Sequence, residues 1–507
     1  MSRKKPGLGR SQEHASAQAL LTPWQKFYQQ VRDPSWPDCD LESDFTGLPE
    51  WIQRECQEHG YRPGEFGDQS PLVSRPFPID TATACQLKWN WSTLYLSDET
   101  TASCHRTRHH AFDVDSFEFH NTPEKLEDRE RMLDGQWPRR GCEYCQNIEA
   151  AGGASDRITN LDLEGMHAPP ELEDDPRATV VTPRILEIYF SNTCNLKCVY
   201  CGEWFSSLWA AENQKHGRFQ KDGLVIESGL YRVDEQRQAH TRRRLWQWME
   251  QHGANLTNFN VLGGEPLYQR ELDECLDFFE RVPAPNIDFQ IFTNLNCRPR
   301  RLESVINRVR AIIDRGHLRR FTVTASIDCW GREQEYVRFP LDLDSWTSNF
   351  EQLLKHEWIN IVVGSTVTPL TAKTLPDLIE RLNRWRGQHA IHHYLNSVNN
   401  PSYLFIDILG DFFQDDFDRA LDLMPAQTPE QIKVRDYLRG IAVQSASGGV
   451  NPEQAQRLWD FLEEMDRRRN INWRRSFPWL QQPLQQAVDQ KTKKPYNKVF
   501  QIRRLSQ

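Results

Sequence analysis

From residue 184 onward, apolar and polar positions follow two alternating periods. The runs RILEIYF, NFNVLGG, IDFQIFTN, FTVTASID, INIVVGSTV and YLFIDIL are short, β-branched and aromatic, and read as buried strands. Between them apolar residues recur at three- and four-residue spacing. The stripes are Leu245, Trp248, Met249 and His252; Leu272, Cys275, Leu276 and Phe279; Leu302, Val305, Ile306, Val309 and Ile313; Phe350, Leu353 and Leu354; and Leu378, Ile379, Leu382 and Trp385. These are the inward faces of amphipathic helices. Alternation of strand and helix predicts parallel strands joined by crossover helices. Six strands are too few for a closed eight-stranded barrel, so the pattern predicts an α/β fold built on a partial (β/α)6 TIM-like barrel.

The flanks follow other patterns. In CQLKWNWSTLYLSDETTASC, residues 85–104, Leu87, Trp89, Trp91, Thr93 and Tyr95 alternate and SDETTAS is a polar turn. This predicts a hairpin with a cysteine near each end. The acidic run ELEDDP at 171–176 reads as a solvated linker. After 410 the pattern turns helical, with Trp459, Phe461, Leu462 and Met465 on one helix. From 467 the chain is basic (RRR, WRR, KTKK, RR) and reads as a solvated tail, or alternatively as a contact surface for an acidic partner. Residues 1–70 are polar, with a short aromatic helix at Trp24–Val31, and read as partly disordered. The expected organisation is therefore a polar segment 1–70, a cysteine-rich hairpin module 71–165, an acidic linker 166–183, an α/β core 184–410 and a helical C-terminal region 411–507.

Composition narrows the function. Of 507 residues, 38% are hydrophobic and 11% aromatic, enough for at least one large core. A net charge of -9 argues against a protein dominated by phosphate contacts, and the 17 tryptophans are more simply core than base-stacking platforms, so nucleic acid is not the expected partner. No apolar run approaches the roughly 18 residues that span a bilayer. The first twenty residues lack the apolar stretch of a secretory signal. The expected compartment is the cytoplasm, where clustered cysteines favour metal or redox chemistry over disulfides. Seven of the twelve cysteines fall into two groups: Cys194, Cys198 and Cys201, and Cys85, Cys104, Cys142 and Cys145. Cys275 lies on an apolar helix face, and Cys297 and Cys329 follow strand ends; packing is the expected role for all three.

The first group reads TCNLKCVYC, at the end of the first core strand. Structural zinc takes four protein ligands, and a thiolate-bound [4Fe–4S] cluster normally takes four as well. Here C-x3-C-x2-C supplies three. A cubane held by three thiolates leaves one iron open to an amine and a carboxylate, the pair carried by the methionine end of S-adenosylmethionine.

This spacing, with aromatic Tyr200 directly before the last cysteine, resembles the signature of radical SAM enzymes. The resemblance implies that Cys194, Cys198 and Cys201 hold the cluster and that Tyr200 lies near the adenine. It extends to GGEP at 263–266, similar to the family's GGE motif, which implies that Gly263, Gly264 and Glu265 engage the methionine ammonium. Glycines let the main chain approach closely, and a carboxylate pairs with an amine. Thr293 and Asn294 match a Thr-Asn-Gly turn in which Leu295 replaces the glycine. Ser326 and Asp328 match positions that contact the ribose hydroxyls or the methionine carboxylate. All of these fall at strand C-termini, where barrel enzymes place their sites.

The second group, with the run GCEYCQNIEAAGGASDR and its Glu149, Ser155 and Arg157, resembles the twitch or SPASM-type auxiliary-cluster module. In better-known members this module follows the core; here it precedes it. Cys85, Cys104, Cys142 and Cys145 would supply a second [4Fe–4S] cluster, with zinc as the alternative and His105, His109 and His110 as substitute ligands. The resemblance implies reductive cleavage of S-adenosylmethionine to a 5′-deoxyadenosyl radical, which abstracts hydrogen from a peptide or protein. An electron donor such as flavodoxin or ferredoxin is implied too. A small-molecule or nucleoside substrate, or a non-catalytic sensor or scaffold, remain the alternatives.

Overall fold

Strands form where branched and aromatic residues alternate between a packed and a polar face. The computed structural model describes residues 79, 81–150, 155, 157, 168–219, 235–398 and 400–490. Segment 1–70 with its Trp24–Val31 helix, and the KTKK and last RR clusters, lie outside the described residues. The described strands are β1 (Trp91–Tyr95), β2 (Thr100–Ala102), β3 (His110–Ala111), β4 (Ile185–Tyr189), β5 (Asn258–Leu262), β6 (Asp288–Thr293), β7 (Arg320–Ser326), β8 (Ile359–Val367) and β9 (Ile391–Ser397). They form a nine-stranded sheet in the order β3-β2-β1-β4-β5-β6-β7-β8-β9. The β1–β2 and β2–β3 pairs are antiparallel, while β6–β7, β7–β8 and β8–β9 are parallel. No described helix is long and apolar enough to cross a membrane.

The described residues divide into two compact units. One holds the residues up to Glu187 together with Gln236–Phe259; the other holds the remainder. In the second unit the helix-facing side of the parallel strands is fully buried: Phe289, Ile291, Phe321, Val323, Ala325, Ile361 and Val363 are all at 0% exposure. Each such side chain stabilises by roughly 1.5–3 kcal/mol if large. Phe289 and Phe321 stack at 5.7 Å. The opposite face is polar. Gln290 Nε2 donates to Thr324 Oγ1 (2.7 Å) and Asn360 Nδ2 to Thr322 Oγ1 (3.1 Å). Register pairs Thr293 with Ala325 and Ser326 with Gly364, so the chain segments that follow these strands leave the sheet at one end.

Helices carry the expected stripes with adjustments: Trp248 and His252 on Glu235–His252 and Trp459 on Pro452–Arg469 are half-buried rather than core. On Pro299–Asp314 the core positions are Leu302, Val305, Ile306, Val309 and Ile312, with Ile313 half-buried. Four other expectations need correction. The run YLFIDIL is not a strand but two 3-10 turns, Ser402–Leu404 and Ile406–Ile408. The sixth core strand is β9, IHHYLNS, in which Ile391, His393 and Leu395 are buried and His392 and Asn396 exposed. The first half of the expected hairpin, Gln86–Asn90, is a helical turn buried at every position, including Trp89 at 0%. The hairpin itself is β1–β2.

The acidic run is solvated only in part: Glu173, Asp174 and Asp175 are exposed, but its start is anchored. Glu171–Asp174 is a helical turn with Leu172 in the core of the first unit, and Glu171 Oε1 accepts from the Thr182 N–H and hydroxyl. Nor does the basic segment begin as a solvated tail. Arg467, Arg468 and Arg469 end the helix Pro452–Arg469, with the Arg468 and Arg469 side chains 2% and 0% exposed and paired to Glu464 and Glu212.

Candidate active site

Within the second unit the loop Cys194–Cys201 follows β4 and is fixed mostly through its backbone. The Lys197 N–H donates to Phe339 O (2.6 Å) and the Val199 N–H to Val337 O (2.8 Å), so residues 337–339 strap the loop. The Cys194 N–H donates to Ser207 Oγ (3.1 Å), Ser206 Oγ donates to Leu196 O (2.6 Å), and Trp209 Nε1 donates to Cys198 O (2.8 Å). Ser206 also caps the helix Ser207–His216. A loop held by backbone bonds leaves its three sulfurs available. The Leu196 N–H donates to Cys194 Sγ at 3.4 Å. The sulfurs feel one another: burial first, then neighbouring thiols, push Cys194 upward and Cys201 up to about 12, and burial raises Cys198. Thiols so raised stay protonated at neutral pH unless a cation takes the place of the protons.

The GGE turn meets this loop directly. The Glu265 N–H donates to Thr193 O (2.8 Å). Gly263 (φ +78°) and Gly264 (φ +58°) lie in the left-handed region. A Cβ on Gly263 would stand 2.4 Å from Tyr189 Cδ1, and one on Gly264 would stand 2.2 Å from Thr193 O. Only glycine allows this approach. Gln269 Nε2 staples the turn, donating to Gly263 O (2.8 Å), Thr193 O (3.2 Å) and Ser191 O (3.3 Å).

Glu265 gathers the third motif. Its Oε1 accepts from Thr293 Oγ1 (2.6 Å) and the Leu267 N–H (3.0 Å), and its Oε2 accepts from the Asn294 N–H (2.7 Å). Burial pushes the carboxyl up to about 7 despite these bonds. A carboxylate has about four acceptor sites. Three are filled, which leaves capacity for one further donor. Asn294 Nδ2 donates to Asn195 Oδ1 (2.9 Å), and Asn195 Nδ2 donates to Asn296 O (2.6 Å), tying this turn to the cysteine loop. Leu295 adopts φ +53° with its side chain fully buried, the left-handed conformation a glycine would take there. Its carbonyl is held by Asn349 Nδ2 at 2.8 Å.

Asp328 is fully buried and its carboxylate is occupied by protein donors. Arg338 binds it through Nε (2.8 Å) and Nη2 (2.9 Å), Tyr200 OH donates at 2.7 Å and the Thr366 N–H at 2.9 Å. The Arg338 guanidinium lies 5.6 Å from the Tyr200 ring centre. The structure thus makes Asp328 and Arg338 a support that fixes Tyr200. Ser326 is half-buried at the end of β7. Cys275, Cys297 and Cys329 are buried away from any thiol partner.

In the first unit Cys85 and Cys104 are 7% and 9% exposed, and Cys142 and Cys145 are half-buried. The four lie in electrostatic range: burial pushes Cys85 and Cys142 up to about 12, and Cys104 adds to both, Cys142 to Cys85 and Cys145 to Cys142. Gly141 (φ +85°) lets the chain pass close to Thr107 and Arg108, just after Cys104. Glu149 and Arg157 lock the helix Glu143–Ala150 in place. Arg157 Nε donates to Glu149 Oε1 (2.7 Å), its Nη1 to Ala84 O (2.8 Å) and its Nη2 to Ala82 O (2.9 Å), beside Cys85. Ser155 Oγ donates to the same Glu149 carboxylate. Lys88, Lys125 and Arg129 are buried in this unit at 2%, 1% and 0% exposure, and Lys88 pairs with Asp128. Charges of one sign are rarely buried without counter-charge. Burial favours the neutral form of Lys125, so of the three it is Lys88, in electrostatic range of Cys85, Cys104 and Cys142, whose charge a thiolate-bound centre would oppose. His110 Nε2 bonds Thr122 Oγ1 (2.7 Å) and His109 packs on Tyr95. Among the described residues no three His, Cys, Asp or Glu side chains converge on a point that would hold a single metal ion.

Sequence reasoning named the glycines, Glu265, Thr293 and Asn294, and the structure brings these together with the cysteine loop. It missed Arg338, Gln269, Asn195, Trp209 and Arg469. Gln269 follows GGEP by three positions and so had a local signal; Arg338 and Arg469 are distant in sequence and had none.

Among the solved structures that the chain resembles are three. They are Streptococcus suis SuiB bound to S-adenosylmethionine (12% identity, 62% of this chain, 63% of that chain, TM-score 0.30), a second crystal structure of Streptococcus suis SuiB (12%, 62%, 62%, 0.30), and anSMEcpe with bound AdoMet and a peptide (16%, 53%, 62%, 0.29). The chain therefore spans a little over three fifths of each, at 62–63% of their length. No family model and no curated protein matches the sequence.

Proposed function

We propose that this chain is a radical SAM enzyme whose substrate is a peptide or protein. The observation that carries the reading is the convergence on Glu265: its N–H holds the cysteine loop at Thr193 while its carboxylate holds Thr293 and Asn294. Three motifs distant in sequence thus meet, each in the segment that follows a strand of one sheet. In this reading residues 184–410 form a partial (β/α)6 barrel core, 71–165 an auxiliary-cluster module, 166–183 the link between them and 411–507 a helical C-terminal region.

Cys194, Cys198 and Cys201 would hold a [4Fe–4S] cluster. When bound, that cluster supplies one electron for cleavage of a carbon–sulfur bond of S-adenosylmethionine, which yields methionine and the 5′-deoxyadenosyl radical that takes hydrogen from the substrate. The chain's own part is positioning and exclusion of water. The Gly263–Gly264 backbone and the remaining acceptor site of Glu265 suit an ammonium group. Tyr200, fixed by Asp328 and Arg338, offers a ring edge for the adenine. Ser326, at the end of β7, would contact the ribose or the carboxylate. Cys85, Cys104, Cys142 and Cys145 would hold a second cluster, with zinc as the alternative. A flavodoxin or ferredoxin in the cytoplasm would donate the electron.

The test is anaerobic reconstitution followed by an assay for 5′-deoxyadenosine with dithionite as reductant. Wild-type protein is expected to produce it, and Cys198→Ala to lose production by at least a hundredfold, the order of effect expected when an essential cofactor ligand is removed. Production that survives in Cys198→Ala would falsify the ligand assignment.

A further inference from the structure

The helix Pro452–Arg469 ends beside residues that hold the cysteine loop and brings an unusual charge with it. Arg469, the last residue of Pro452–Arg469, has a side chain with 0% exposure. Its Nη2 pairs with Glu212 Oε1 at 3.1 Å, and its guanidinium lies 4.6 Å from the Trp209 ring and 5.5 Å from the Phe339 ring. Those rings belong to residues that hold the cysteine loop: Trp209 through Cys198 O and Phe339 through the Lys197 N–H. Lys197, inside the cysteine motif, pairs with the same Glu212 carboxylate. The group therefore contains two cations and one anion, a net charge of +1. The three side chains are 17%, 4% and 0% exposed for Lys197, Glu212 and Arg469.

Buried net charge is costly unless something opposes it. Arg469 Nη1 is buried and has no hydrogen-bond partner among the described residues. An unmet guanidinium donor in such a place costs about 1–3 kcal/mol or more. Arg338, the other nearby guanidinium, differs because Asp328 already neutralises it. An oxidised cubane on three thiolates carries a net -1 and its reduced form -2 by simple addition. A fixed buried cation favours the more negative state.

We propose that Arg469, held in the Lys197–Glu212–Arg469 group, sets the reduction potential of the metal centre on Cys194, Cys198 and Cys201 by favouring its reduced state. This rests on the function proposed above and assigns a role to the helix Pro452–Arg469 that the motifs do not. One electron enters from a low-potential flavin or iron–sulfur donor, the cluster passes from 2+ to 1+, and no bond or proton changes. Arg469 acts as a positioning residue through charge alone.

The test is a redox titration followed by electron paramagnetic resonance on anaerobically reconstituted full-length protein, with dithionite as reductant and no S-adenosylmethionine. Arg469→Gln brings the group to zero charge. The reduced-to-oxidised ratio at a fixed potential is expected to fall about tenfold, which is 59 mV for one electron. Arg469→Lys is expected to stay within about twofold of wild type, and Glu212→Gln, which leaves the group at +2, to move the ratio in the opposite direction. A doubly substituted Glu212→Gln/Arg469→Gln protein returns the group to +1 and is expected to restore the ratio. If Arg469→Gln loads no iron, the Glu212→Gln result decides: a raised ratio supports the proposal and an unchanged or lowered one overturns it. A wild-type-like ratio in loaded Arg469→Gln also overturns it. A wild-type protein with no cluster signal would instead sink the parent reading, and this proposal with it.

Discussion

At the scale of single residues, the site is built from positions where an ordinary side chain sits in an unusual backbone state. Leu295 is the clearest. Its φ of +53° carries a cost of roughly 1–2 kcal/mol for a residue with a Cβ. The turn keeps it because the side chain is fully buried, the carbonyl is held by Asn349, and its N–H bonds Thr293 Oγ1 at 3.0 Å. Truncation to alanine keeps the backbone cost and loses the packing, so Leu295→Ala is expected to destabilise by about 2–5 kcal/mol. Glycine normally does worse than alanine. Here it removes the backbone cost, and Leu295→Gly is expected to be more stable than Leu295→Ala by roughly 1 kcal/mol. Guanidinium unfolding of the two variants measures the difference. Alanine the more stable of the two would mean the turn is not strained. The sequence showed that a glycine was missing from this turn, but not that the backbone keeps the glycine conformation without one.

Among the elements, β4 carries a buried acid that no motif explains. Glu187 is 5% exposed and Thr93 Oγ1 donates to its Oε1 at 3.1 Å. Burial pushes its carboxyl from the ordinary 4.5 up to about 6, with His105 and the Thr93 bond opposing weakly; Tyr95 also faces it. Between pH 4.5 and 6 the folded protein binds more protons at this group than the unfolded chain. Stability from Glu187 therefore falls as pH rises through that window, by about 2 kcal/mol for a shift of this size, and stays low above it. Glu187→Gln is expected to be about 2 kcal/mol more stable at pH 7.5, with the gain vanishing near pH 4.5. Equal gains at both pH values, or none, would contradict the assignment. Glu187 shows what periodicity can and cannot read. RILEIYF was legible as a strand because five of its seven positions are apolar or aromatic, and one acid did not disturb the pattern. IHHYLNS was not legible, since His392, His393 and Asn396 dilute the apolar alternation that puts Ile391 and Leu395 inside. YLFIDIL misled for the opposite reason: Tyr403, Leu404, Ile406, Ile408 and Leu409 are buried by 3-10 turns rather than by a ladder. Gln86–Asn90 is buried on every side, so the alternation of Leu87 and Trp89 did not mark a strand there.

Across the whole molecule the two cysteine sets differ in how the chain assembles them. Cys194, Cys198 and Cys201 lie on one eight-residue loop whose geometry is fixed by local bonds and the 337–339 strap. Cys85, Cys104, Cys142 and Cys145 come from three separate segments, joined by the Arg157–Glu149 lock and the close passage at Gly141. A centre on the second set closes longer loops and is coupled more strongly to folding. The sets also occupy different compact units, so removal of one ligand set should leave the other intact. Reconstituted wild-type protein is expected to hold about eight irons and eight sulfides per chain, four for each cubane. Cys198→Ala and Cys142→Ala are each expected to retain about four. Cys142→Ala should lower the melting temperature more than Cys198→Ala does, because its centre closes longer loops between separate segments. If the second centre is zinc, wild type holds about four irons and one zinc, and Cys142→Ala loses zinc while keeping its iron. Both outcomes preserve two independent centres. Loss of all metal in either single variant would show one shared centre, and the assignment of the seven cysteines to two sets would fall.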